Sequence, residues 1–297
     1  MEFFQYLAPT KVIFGRGTEA RTGALCKEAG ATKVLIHYGG HSAKKSGLID
    51  RICASLQTEG ISYTELGGVV PNPRLSKVYE GIELGRKEKI DFILAVGGGS
   101  VIDSTKAIGY GLTNEGDVWD YYTGKAPQAC MPIGAVLTIA AAGSEMSNAS
   151  IITNENGWLK RGAYSPYAYC KFAVMNPELT YTLPAYQTAS GCTDIIVHSL
   201  ERFFTKPDVK QLNLTDGIAE TLIKNVMRNV KTALKNLMTT MHALKLCGAA
   251  PFHITISQAT ALWATGPAIS WSTNSAACLI SPTAQALQQF GAAGRVT

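Results

Sequence analysis

An α/β region built on a parallel sheet, followed by an all-helical region, is the fold the sequence predicts. Three observations predict it. Over about the first 180 residues, short β-rich runs alternate with helically spaced segments. One of those runs, wholly apolar after its first residue, halts at three consecutive glycines. After Pro184 the strand signal disappears and two long helical patterns take its place. Strand-turn-helix units need crossovers, and crossovers give parallel strands with helices on the sheet faces.

The elements follow in order. Lys33–Tyr38 (KVLIHY) reads as a strand ending at Gly39-Gly40, and Leu48–Gln57 has helical spacing. Ile61–Leu66 is a second strand and Leu75–Glu88 an amphipathic helix. Asp91–Val96 (DFILAV) is too short for a helix and stops at Gly97-Gly98-Gly99, after which Ser100–Tyr110 is helical. Ile133–Thr138 and Lys171–Met175 are further strands. Ala185–Phe204 and Leu212–Lys235 are helices, with Pro207 in the break between them. A domain boundary is expected near 177–184, dividing an α/β domain at 1–180 from a helical one beginning at 181.

The bulk properties exclude several classes. The chain has 297 residues and a net charge of +5, and its Lys and Arg residues are scattered. A solvated surface is therefore expected, not a nucleic-acid interface. Met1-Glu2-Phe3-Phe4 puts an acid where a secretory leader needs a base. No apolar run approaches the roughly 20 residues that span a bilayer, so no membrane partner is expected. The seven cysteines are dispersed and form no CxxC pair, which argues against a disulfide framework or zinc knuckle and suits a reducing cytoplasm.

Two constellations carry chemistry. Gly97-Gly98-Gly99-Ser100 joins a predicted strand to a predicted helix. Glycines allow a sharp turn and close approach of a ligand, and the free N–H groups of a helix start favour an anion. The turn is either a pyrophosphate cradle or a tight connection without a ligand. Asp103, one turn into the helix, and Lys106 three residues beyond it could be plain surface charges, but its place after the glycines equally suits Asp103 to face the ligand or fix the loop. Gly39-Gly40-His41-Ser42 ends a strand of the same sheet, where the adenosine end of a dinucleotide could lie. That loop shows no acid for a ribose 2′-hydroxyl, whereas Ser42, Lys44 and Lys45 suit a 2′-phosphate, tilting the expectation towards NADP(H).

The second constellation is Asp194 and His198, four residues apart on one helix face, with Glu201 following. A carboxylate with an imidazole is half of a divalent metal site for Fe²⁺ or Zn²⁺. By itself D-x-x-x-H reads more readily as a helix-surface ion pair, and a complete site needs histidines downstream.

Taken together, several segments resemble the iron-containing alcohol dehydrogenases, in particular their butanol-dehydrogenase-like, broad aldehyde-reducing branch. They are PTKVIFGRG (9–17), YGGHSAKKSG (38–47), PNPRL (71–75), LAVGGGSVIDSTKAI (94–108), AAGSEMSNASIITN (141–154), NPELTYTLP (176–184) and the D-x-x-x-H pair. They run in family order to about residue 236. The resemblance implies a dehydroquinate-synthase-like architecture: a Rossmann-like N-terminal domain, a helical C-terminal domain, and cofactor and metal in the cleft between them. It assigns Gly97, Gly98, Gly99, Ser100 and Asp103 to the cofactor; Gly39, Gly40 and Ser42, by their place at a strand end, are expected on its adenosine side. Thr138, Ser144, Lys160 and the Leu179–Thr182 stretch match positions at the nicotinamide end or its phosphates. Ala142 departs from the family, in which many members carry Thr. Asp194 and His198 become metal ligands, Fe²⁺ before Zn²⁺, with the ion as Lewis acid beside a hydride transfer. The implied substrates are small primary alcohols and aldehydes, and a homodimer is expected of the full-length protein. Glycerol-dehydrogenase-like and dehydroquinate-synthase-like relatives share the fold, but AAGSEMSN and NPELTYTLP favour the alcohol-dehydrogenase branch. A sugar-phosphate isomerase on a similar sheet would not need Asp194 and His198 on one helix.

Beyond residue 237 the resemblance stops. The family continues with D-W-A-[ST]-H-x3-H-x9-H, and neither His242 nor His253 sits in such a motif. A single nucleotide lost near Leu237 accounts for this. Each true codon is then the last base of one residue's codon plus the first two of the next. Met238-Thr239 forces GAC for Asp, Met241-His242 forces GCA for Ala, and Trp263-Ala264 forces GGC for Gly. Compatible third bases then give YDARAEVMW across Thr239–Gly248 and GDWASHQLEHEL across Trp263–Ser275. The hidden metal-ligand histidines fall at Ala268-Ile269 and Pro282-Thr283. Residues 238–297 are thus expected to be an out-of-frame tail, leaving 181–237 as the start of the metal-binding domain. A chain with two of four ligands is expected to show little or no dehydrogenase activity.

Overall fold

The computed structural model describes residues 7–204 and 213–235. The tail at 238–297, with Cys247, Cys278, His242 and His253, lies outside the described residues, as do Pro207 and Leu212. The elements are β1 (Lys11–Phe14), α1 (Thr22–Glu28), β2 (Lys33–Tyr38), α2 (Ser42–Lys45), α3 (Leu48–Thr58), β3 (Ser62–Leu66), α4 (Leu75–Glu88), β4 (Phe92–Gly97), α5 (Gly99–Thr113), β5 (Ile133–Leu137), β6 (Ala149–Asn154), β7 (Leu159–Tyr164), β8 (Phe172–Met175), α6 (Ala185–Phe203) and α7 (Asn213–Lys235). The α/β-then-helical order is as the sequence predicts. Strands β1, β6 and β7 and helices α1 and α2 were not foreseen.

Six strands form one parallel sheet in the order β1-β8-β5-β4-β2-β3. β2 and β4 lie side by side, with Tyr38 opposite Val96. The chain runs from β2 outward to β3, then crosses back to β4 on the other side of β2. That reversal is a switch point, and in open parallel sheets the crevice outside the strands' carboxyl ends there is where ligands bind. β4 and β5 are buried along their whole length, as unbroken apolar runs covered on both faces must be. Leu35, Leu66, Val78, Ile82, Ile93 and Ile108 pack α4 and α5 onto the sheet, at about 2 kcal/mol per buried aliphatic side chain.

The described chain divides into two compact units. One is Pro9–Thr138 with Ser144–Asn176, and holds the sheet and the antiparallel β6-β7 hairpin. The other joins Ile139–Gly143 to the helical segments from Pro177 onward. In it Cys192, Ile195, Leu222, Val226 and Ala233 form the core between α6 and α7, with Ala140 packed against them. A β-carbon at Gly191 would lie 2.3 Å from the Ala140 carbonyl oxygen, so that segment seats tightly on α6 only because residue 191 is glycine. The five described cysteines are free thiols. No described helix is long and apolar enough to cross a membrane.

Candidate active site

The two glycine loops leave neighbouring strands of the sheet at the switch point. After β4, Gly97 closes the strand and Gly98 caps α5 without any side-chain hydrogen bond to the helix start. The Gly98 carbonyl accepts from Val101 and Ile102. Position 97 tolerates no side chain, since a β-carbon there would lie 2.4 Å from Val101 Cγ2. The first N–H groups of this 15-residue helix therefore keep the donors and dipole that an anion would use. After β2, Gly39 and Gly40 lead into α2, where Ser42 is exposed. The Thr138 N–H donates to the Gly97 carbonyl at 3.1 Å, carrying the β5-β4 pairing to the rim of the turn.

Asp103 is half-buried. Its carboxylate accepts from Ser144 Oγ at 2.5 Å and from the Ile151 N–H. Burial pushes its pKa up, against the opposing pull of Lys106, the Ser144 and Ile151 hydrogen bonds, and Lys160. Lys160 lies on β7, close enough to lower the Asp103 pKa by its charge. Lys106, read from sequence as a surface charge, is fully buried. Glu145, beside Ser144, is also buried, and its Oε1 has no hydrogen-bond partner among the described residues. Burial raises its pKa to about 7.

The loop after β2 corrects one expectation. An acid does stand there, delivered by the adjacent strand. Glu65 on β3 takes an ion pair from Lys44 at 2.8 Å and a hydrogen bond from Tyr38 Oη at 3.0 Å. That pairing raises the Lys44 pKa and partly spends the charge expected to meet a 2′-phosphate. The acid was missed because only the β2-β3 register brings it to Lys44.

In the helical unit, Leu179 lies in the turn Pro177–Thr180, half-buried, and Thr182 is exposed. Between them Tyr181 buries a hydroxyl that has no partner among the described residues. Asp194 Oδ1 and His198 Nε2 lie 3.5 Å apart on α6, and His198 Nδ1 is 3.1 Å from Glu201 Oε2. The pair fits a divalent ion in donor chemistry: carboxylate oxygen and Nε2 converge, while the second ring nitrogen meets a carboxylate, as metal-ligating histidines commonly do. Among the described residues no group of three or more His, Cys, Asp or Glu side chains could hold a metal.

A parallel sheet with helix α5 starting at its switch point defines an α/β protein of the open-sheet class. The family model for iron-containing alcohol dehydrogenase matches residues 9–177, and the chain belongs to that family. It is 42% identical over 238 residues to the probable NADH-dependent butanol dehydrogenase 1 of Bacillus subtilis, covering 80% of this chain and 61% of that protein. It is 36% identical over 237 residues to the NADPH-dependent aldehyde reductase YqhD of Escherichia coli, covering 78% and 60%. The crystal structure of an NADH-dependent butanol dehydrogenase A from Thermotoga maritima superposes with a TM-score of 0.84 at 40% identity, over 88% of this chain and 65% of that one. The chain spans about three fifths of the length of the curated relatives it matches.

Proposed function

We propose that this chain carries the dinucleotide cradle and two metal ligands of an NAD(P)H-dependent oxidoreductase for small primary alcohols and aldehydes. The observation that supports it most is the uncapped start of α5 beside the β2 loop at the sheet's switch point. The N–H groups of Gly99 and Ser100 would hold the pyrophosphate, and Asp103 with Ser144 would fix the turn. Thr138, Lys160, Leu179 and Thr182 would face the nicotinamide end or its phosphates. Ser42 and Lys45 would meet the adenosine end, with Gly39 and Gly40 keeping the backbone clear. Lys44 is shared with Glu65, so NADH is as well accommodated as NADPH. A bound divalent ion, iron before zinc, would supply Lewis acidity to the substrate oxygen, and the dinucleotide would supply or take the hydride. Asp194 and His198 would hold that ion, with Glu201 fixing the imidazole.

We further propose that residues 238–297 are read out of frame and that the in-frame protein pairs as a homodimer. As written, the chain is then a nucleotide-binding product that turns over little or no substrate. Purified chain with Fe²⁺ or Zn²⁺, NADH or NADPH and butanal is expected to bind dinucleotide without turnover. The product of a gene with one nucleotide restored near codon 237 is expected to reduce butanal. Robust turnover by the chain as written would refute the frame reading, and an inactive restored product would refute the activity.

A further inference from the structure

Lys106 sits in the body of α5 with its side chain fully buried. Its Nζ donates to the carbonyls of Ser144 at 2.8 Å, Ser147 at 2.7 Å and Ala149 at 2.8 Å. An ammonium has three N–H donors and accepts nothing, so every donor is spent on the single stretch 144–149. A longer contact, 3.5 Å, reaches Ser144 Oγ. Three carbonyls converging on one positive centre is how a loop coordinates a monovalent cation, and here a tethered ammonium stands in the ion's place.

Besides the ammonium, the stretch is held by the buried side chains of Glu145 and Met146 and by the Ser165 N–H donating to the Asn148 carbonyl. It makes one short helical turn, Ser144–Met146, then a Ser147 side-chain turn, and only at Ala149 does β6 begin. Left without the ammonium, the carbonyls would face one another in a dry interior, which neutral dipoles do not tolerate. What the stretch presents is Ser144. Its Oγ reaches Asp103, and a β-carbon on Gly99 would lie 3.9 Å from its Cβ. Ser144 therefore stands at the mouth of the helix start.

We propose that Lys106 is a positioning residue for the dinucleotide cradle: its buried ammonium gathers the carbonyls of 144–149 and so sets Ser144 against Asp103 beside the first turn of α5. This rests on the cradle reading above.

Two measurements on the full chain test it. Dissociation constants for NADH and NADPH are taken from fluorescence titration, and amide hydrogen exchange is followed across 144–151 and across β4. Lys106→Met is expected to weaken dinucleotide binding about tenfold, the scale of one misplaced charge-assisted hydrogen bond. Exchange at 144–151 should quicken while β4 stays protected. Should Lys106→Met fail to fold, Lys106→Gln serves, since its two N–H donors can hold two of the carbonyls and should give a smaller loss. Ile152→Val, a core change nearby, controls for simple destabilisation and should leave affinity unaltered. Wild-type affinity in the Lys106 variants, or unaltered exchange at 144–151, overturns the proposal. Failure of the wild-type chain itself to bind either dinucleotide overturns the cradle reading, and the proposal with it.

Discussion

The sheet unit and the helical unit hold their candidate functional groups in opposite ways. At the cradle, atoms from α5, the 144–149 stretch, β6 and β7 converge on Asp103 and Lys106 through buried hydrogen bonds and charges. On α6, Asp194 and His198 come from one helix, four residues apart, and keep 15% and 26% of their side chains exposed. The first arrangement is fixed by tertiary structure and fails if any contributor moves. The second starts from helix spacing, four residues setting both side chains on one face of α6. Variants should expose this difference in both stability and ligand binding.

The largest expected effect is a pair of opposed pH dependences inside the sheet unit. His37 on β2 is fully buried between the Leu66 carbonyl and Ser104 Oγ, at 2.9 Å from each. Burial lowers its pKa from 6.5 to about 4. The unfolded chain therefore takes up the proton first as pH falls, and about 3 kcal/mol of stability present above pH 6.5 is lost on the way down to pH 4. Glu145 is raised from 4.5 to about 7. The unfolded chain gives up that proton first as pH rises, so about 3 kcal/mol present below pH 4.5 is lost by pH 7. Between pH 4.5 and 6.5 the two slopes oppose each other. Urea unfolding across that range should show Glu145→Gln losing stability towards acid and His37→Gln losing it towards neutrality. Equal slopes in wild type and both variants would contradict the assignment.

Next in size is Gly97→Ala. Its β-carbon meets Val101 at 2.4 Å and 2.8 Å, an overpacking worth about 2 kcal/mol. Dinucleotide affinity should fall with it, because the start of α5 must shift. Adding Val101→Ala removes the 2.4 Å contact but keeps the β-carbon at 2.8 Å, so it should return only part of the lost stability, and a full return would place the strain elsewhere.

The smallest structural effect belongs to the metal pair. Asp194→Asn and His198→Gln should each change unfolding free energy by less than about 0.5 kcal/mol, as expected for a partly exposed i, i+4 pair. Both should leave dinucleotide affinity alone, and in the frame-restored protein should abolish binding of Fe²⁺ or Zn²⁺ by equilibrium dialysis. A loss of dinucleotide binding in either variant would erase the contrast between the units.

The same contrast explains what could be read from the sequence. The central strands were legible because runs such as FILAV and IGAVL are apolar throughout, the mark of burial on both faces. β1 was not, since KVIF is short and buries only Ile13 along its length. The β6-β7 hairpin was hidden by mixed burial, with β7 reading LKRGAY. The glycine turn and the D-x-x-x-H pair are local patterns, so spacing marked them as candidates, and the family resemblance made the pair metal ligands. Lys106 and Glu65 are not local. A lysine in mid-helix reads as a solvated charge until a distant stretch wraps it, and Glu65 meets Lys44 only through strand register.

Hydrogen exchange of the full chain, with and without NADH or NADPH, tests the central claim most directly. The account predicts slowed exchange at Gly97–Asp103 and Gly39–Ser42, at the carboxyl ends of β4 and β2. Binding that leaves both segments unprotected, and protects amides elsewhere, would contradict it.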